Sequence, residues 1–157
     1  MLNLCASEKR TSGNDLLALH TLAEDEDIPV DFFQLRKREA LSIMDTDGSC
    51  AIAIDPQQLA GETDEKMKLA HELGHCMTGS FYNIYTPLDN RQQHESRANR
   101  WAYQHLVPVE ELARAFHRGV TEPWELAEYF SVPEDFLRGA VAYYMMLAEQ
   151  EVAEKAQ

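Results

Sequence analysis

Residues 63–78 read Thr-Asp-Glu-Lys-Met-Lys-Leu-Ala-His-Glu-Leu-Gly-His-Cys-Met-Thr, and this stretch decides how the rest of the chain is read. Thr63 reads as an N-cap, with Asp64 and Glu65 in the first turn, where carboxylates favour the positive end of the helix dipole. Gly79 reads as the C-terminal cap. On a helical wheel, Leu69, Ala70, Leu73 and Met77 gather on one side, with Met67 and Cys76 at its edges. His71, Glu72 and His75 occupy a contiguous arc opposite. The pattern predicts a helix held to a core by one face, with its polar trio aimed at another space. Side chains at i and i+4 lie one above the other, so His71 and His75 can offer two imidazole nitrogens to one metal ion. Glu72 stands beside them, placed to take a proton from a water at such an ion. The bland alternative is a surface helix with two solvated histidines. A site of this kind needs a third protein ligand and an open position.

The next helix, predicted over about 91–106 and stopped near Pro108, carries two candidates for that ligand, His94 and Glu95. Its apolar face is defined by Ala98, Trp101, Ala102 and Leu106, and His94 and Glu95 fall on either flank of it. Helical geometry does not choose between them. Asn99 lies one turn after Glu95, so its amide is expected to steady the Glu95 carboxylate.

Working outward, residues 1–13 are polar, lack periodicity and are expected to be flexible. Asn14-Asp15 reads as a helix start, followed by Leu16, Leu17, Leu19 and Leu22 on roughly one face. The acidic run Glu24 to Asp27 and Pro29 end that helix. Val30 to Leu35 reads as a short strand, with Phe32 and Phe33 expected in the core. Two apolar runs, Ala40 to Met44 and Cys50 to Ile54, flank an Asp/Gly turn at 45–49, which predicts a β-hairpin. The turn also resembles the start of a calcium loop, but its Gly comes too early and no Glu stands at the twelfth position. After the two central helices, Glu110 to His117 reads as a fourth helix closed by Gly119. Two more are predicted over about 122–130 and 134–149. The fold class that follows is α+β: one mostly helical domain over 1–157 with a small N-terminal sheet and a helical C-terminal part.

Charge and composition narrow the function. Lys and Arg number 14 against 27 Asp and Glu, a formal charge of −13. That balance argues against a phosphate-binding surface, since nucleic-acid affinity rests largely on Lys and Arg. Residues 120–149 include a helix-turn-helix-like pair joined at Ser131-Val132. Its second helix would open on Pro133-Glu134-Asp135, and carboxylates repel phosphates, so a packing unit or a docking surface for a partner is the better reading. No signal peptide and no membrane-spanning run is visible. The three cysteines, Cys5, Cys50 and Cys76, are odd in number and far apart. A disulfide framework is therefore not expected, Cys76 reads as a buried thiol, and a cytoplasmic location is inferred.

Two separated motifs agree with one known pattern. Lys68 to His75, then Glu95-x-x-Ala98-Asn99-x-Trp101-Ala102, then Leu106-Val107-Pro108, together resemble the ImmA/IrrE family of metallopeptidases over roughly residues 25–145. The chain looks most like the short forms found in phages and mobile elements of Gram-positive bacteria. The resemblance implies a zincin-like domain in which Glu95, not His94, is the third zinc ligand beside His71 and His75. It also implies a helix-turn-helix repressor as protein partner and substrate; the charge balance is the ground for expecting no direct nucleic acid. On this reading Glu72 takes a proton from water and passes it to the leaving amine. A second donor besides Zn²⁺ is needed for the oxyanion, and Tyr82, Tyr85 and Arg91 in the adjoining loop are candidates. The strand Cys50 to Ile54 is a candidate for pairing with substrate. The competing function is a zinc-stabilised interaction module without peptidase activity. A DNA-binding regulator ranks below both.

Overall fold

The computed structural model describes residues 12–83 and 85–156 and is α+β. Its elements run α1 (Ser12–Asp25), β1 (Val30–Phe32), β2 (Ala40–Met44), β3 (Cys50–Ile54), a single 3-10 turn (Pro56–Gln58), α2 (Glu62–Thr78), α3 (Leu88–Leu106), α4 (Val109–His117), α5 (Pro123–Phe130) and α6 (Glu134–Lys155). The expected flexible stretch and Cys5 fall mostly outside the described residues, and α1 has already begun at Ser12.

The three strands form one sheet in the order β1-β3-β2. The hairpin forms as its sequence predicts, with β2 antiparallel to β3 and Ser42 opposite Ile52. β1 runs parallel to β3 on the other side, with Val30 opposite Ile52. It is only three residues long, and Phe32 and Phe33 are 47% and 52% exposed rather than in the core. Their hydrophobicity favours burial, but β1 is an outer strand, and the covering layer does not extend over them. The chain leaves the sheet soon after, where the Leu35 N–H donates to the buried Asp55 carboxylate at 2.9 Å.

Helix α2 is packed by α1, α3 and the sheet. Leu69, Ala70 and Leu73 are fully buried against Ile52 and Ile54 of β3 and against Ala102 and Leu106 of α3. Met77, at the end of the predicted core face, is 37% exposed. The helix begins one residue earlier than predicted, with Gly61 and not Thr63 at the cap position; no side chain caps it. Glu62, Asp64 and Glu65 supply negative charge to the first turn instead. Gly79 adopts φ 63° and closes the helix as expected, a left-handed conformation that glycine accepts without steric cost.

Two features were not read from the sequence. Cys50 and Cys76 are joined in a disulfide that ties β3 to α2. The expectation of a free buried thiol at Cys76 is therefore corrected: the two cysteines are distant in sequence, but strand and helix are packed neighbours. Lys66, on α2, is fully buried. Its ammonium donates to the Ser131 carbonyl at 2.6 Å and stands 3.5 Å from Asp15 of α1. A cation at the C-terminal end of α5 meets the negative end of that helix's dipole. The pair α5–α6 is built into the core through Leu126, Phe130 and Leu137.

Candidate metal centre

His71 and His75 lie on the last two turns of α2, and Glu95 lies in the second turn of α3. The two helices can approach closely because position 74 is glycine. A Cβ placed there would lie 2.5 Å from the Ala98 carbonyl oxygen, too close for the α3 backbone to tolerate. Gly74 and Ala98, one in each motif, thus set the spacing that brings Glu95 over the two histidines.

One ligand atom from each of His71, His75 and Glu95 lies within 4.8 Å of the others. His75 Nε2 is 3.1 Å from His71 Nε2, and the Glu95 oxygens are 3.1 Å from His71 Nε2 and 3.5 Å from His75 Nε2. Two ligands bound tetrahedrally to zinc at ordinary distances would stand about 3.3 Å apart. The donor set fits a divalent ion, and the outer nitrogens strengthen the fit. His75 Nδ1 donates to the Ser80 carbonyl, and His71 Nδ1 faces Asn99 Oδ1 at 3.0 Å. A carbonyl oxygen only accepts, so the ring proton sits on Nδ1 and each Nε2 is left with a lone pair aimed inward. Gly79 makes the tight turn that carries the Ser80 carbonyl back over His75, and the Ser80 N–H donates to the His75 carbonyl at 3.1 Å.

Of the two candidates on α3, Glu95 is the one that lies beside His71 and His75. The His94 ring stacks on Tyr82, and its buried Nδ1 has no hydrogen-bond partner among the described residues. It is not among the converging donors. Asn99 differs from expectation, since its amide faces His71 across the helix pair and not Glu95 one turn away. The partner of Glu95 is Tyr82, whose hydroxyl donates to Oε1 at 2.7 Å. That hydrogen bond, followed by desolvation, raises the Tyr82 pKa above its ordinary value, so the phenol remains a donor. Tyr85 is 86% exposed and does not line the cleft, whereas Tyr82 and Arg91 do.

Glu72 lines the same cleft, and its carboxylate is held by the Ser42 hydroxyl at 2.6 Å. Sequence reasoning missed Ser42; its one signal was a lone hydroxyl within the apolar run of β2. β3 is the central strand with both sides paired, so it has no free edge for a substrate strand. β2 is the edge on this side, and its Leu41 and Ser42 line the cleft.

The family model described as the IrrE N-terminal-like domain matches residues 23–141. No curated protein matches the chain. The matched span holds both motif helices, the sheet and the α5–α6 turn, and the chain belongs to the ImmA/IrrE family of metallopeptidases.

Proposed function

We propose that this chain is a zinc-dependent endopeptidase that cuts a regulatory protein, with His71, His75 and Glu95 holding the ion and Glu72 carrying the proton. The observation that supports this most directly is the convergence of three donors whose outer atoms are already satisfied, beside a carboxylate held in the same cleft. When bound, the ion supplies Lewis acidity, polarising a peptide carbonyl and acidifying a water. His71 and His75 keep their Nε2 lone pairs inward because Asn99 and Ser80 hold their Nδ1 protons. Ser42 fixes the orientation of Glu72, so the carboxylate can take a proton from water and deliver it to the leaving amine. Tyr82 is placed to shift its hydrogen bond from Glu95 to a developing oxyanion. An extended substrate can pair with β2, the edge strand beside the cleft among the described residues. Two imidazoles and a carboxylate suit zinc best among common divalent ions.

The substrate we infer is a helix-turn-helix repressor encoded near this chain, its loss relieving repression. Cytoplasmic action goes with that reading. The cysteine count no longer supports it, because Cys50 and Cys76 are bridged. Among the described residues no helix is long and apolar enough to cross a membrane.

The experiment is incubation of the zinc-loaded chain with the neighbouring repressor, with and without chelator, with fragments read by mass. A chelator-sensitive fragment is expected. In parallel, Glu72→Gln is expected to keep its full zinc content and lose about 10²–10⁴-fold in cleavage rate. Undiminished cleavage at full occupancy would remove Glu72 from the proton-transfer role.

A further inference from the structure

Arg38 lines the metal cleft together with His71, Glu72, Tyr82 and Glu95. It also lines an adjoining cavity of about 370 Å³ with Met67 and Lys68. His71 and Glu72 belong to both cavities, so Arg38 stands where the two meet, next to the reacting groups. Its backbone is anchored: Gln58 Nε2 donates to the Arg38 carbonyl at 2.9 Å and to the buried Asp55 carboxylate at 2.8 Å. Its side chain is exposed, and among the described residues its guanidinium has no ion-pair partner.

The contrast with the other charges is what gives this weight. Lys68, in the adjoining cavity, is already neutralised by Asp64 and Glu39. Glu72 and Glu95 are engaged by Ser42 and Tyr82. Arg91 also lines the cleft, its guanidinium carbon 5.9 Å from the Tyr82 ring centroid. In a chain with a formal charge of −13, two arginines line the cleft.

We propose that Arg38 sets the substrate class: the cleft accepts peptides with an Asp or Glu side chain beside the scissile bond, the Arg38 guanidinium taking that carboxylate. The planar fork of arginine suits bidentate pairing with a carboxylate. The overall negative charge opposes acidic peptides at long range, but salt screens it beyond about 8–10 Å. Selection is therefore local to the cleft. This inference rests on the peptidase reading.

The test uses the full zinc-loaded chain and three peptides identical except for Glu, Gln or Lys beside the cleaved bond, that bond first located by cutting a randomised peptide mixture. The Glu peptide is expected to exceed the Gln peptide about tenfold in kcat/KM, the weight of one charge-assisted hydrogen bond at a partly open site. Arg38→Ala is expected to erase that ratio by lowering the Glu peptide toward the Gln value, and Arg38→Glu to favour the Lys peptide. No charge preference in the parent chain overturns the proposal. So does an Arg38→Ala variant that slows all three peptides equally, which marks a general role in the transition state. Binding of the same peptides to zinc-loaded Glu72→Gln, read by fluorescence anisotropy, separates the two readings. If the mixture is not cut, the three peptides carry Glu, Gln or Lys at the centre of one fixed host sequence; Glu-selective binding lost on adding Arg38→Ala then keeps the selection and sinks the peptidase. Binding without selectivity, or none at all, sinks the proposal.

Discussion

Asn99 controls which nitrogen His71 turns toward the cleft. Its Oδ1 stands 3.0 Å from His71 Nδ1, and with that acceptor removed either ring tautomer becomes available. Asn99→Ala is expected to weaken zinc binding about 10–100-fold, as loss of a ligand-orienting partner does. Asn99→Asp, which keeps an acceptor, is expected to lose less. Competition with a chromophoric chelator measures both, and equal affinities for the parent chain and Asn99→Ala would remove Asn99 from this role. His75 has no such vulnerability, because its acceptor is the Ser80 backbone carbonyl. At this scale the sequence was informative about types and poor about partners. The i,i+4 rule put His71 and His75 on one face, since that depends only on helix pitch. The same rule paired Asn99 with Glu95, because it knows only neighbours on one helix. Asn99 instead reaches across to α2, and Tyr82 reaches Glu95 from a loop, contacts that only the tertiary arrangement provides.

The helix pair α2–α3 depends on one missing methyl group. Gly74 faces the Ala98 backbone so closely that a Cβ would lie 2.5 Å from its carbonyl oxygen and 2.9 Å from its Cα. Those atoms belong to a helix backbone, which cannot step aside as a flexible side chain does. Gly74→Ala is therefore expected to push α3 away from α2, at a stability cost of about 1–3 kcal/mol despite alanine's better helix propensity. The same displacement moves Glu95 from His71 and His75, so zinc affinity is expected to fall as well. Urea unfolding of the metal-free chain together with a zinc titration reads both, and an unchanged zinc affinity would mean that the close contact does not position Glu95. The elements themselves were readable where a local signal exists. The Asp/Gly turn announced the hairpin, and Gly79 announced the end of α2. β1 was read as longer than it is, because its apolar residues do not reveal that it is an outer strand with Phe32 and Phe33 exposed.

Over the whole molecule, two long-range ties hold the layers that carry the site, and neither was legible in the sequence. Lys66 sits among ordinary helix residues, yet it is fully buried, joining Asp15 of α1 to the Ser131 carbonyl after α5. Lysine is almost never fully buried unless paired, and the pairing partners lie 51 and 65 positions away. The disulfide is the second tie, joining the central strand to the motif helix one residue beyond His75. Counting cysteines argued against it, since an odd number far apart carries no pairing signal. Its energetic effect follows from the chain it closes. The sequence separation of 26 residues confines the unfolded chain by about 3.5 kcal/mol in the loop-entropy account. Treating the metal-free chain with reductant is expected to lower its unfolding free energy by roughly that amount. The urea m-value is expected to rise, because the reduced denatured chain exposes more surface. Cys50→Ala with Cys76→Ala is expected to reproduce the loss without reductant, plus the smaller cost of two vacated thiol positions. Coincident urea transitions with and without reductant would show that the bridge does not contribute to the stability of the folded chain.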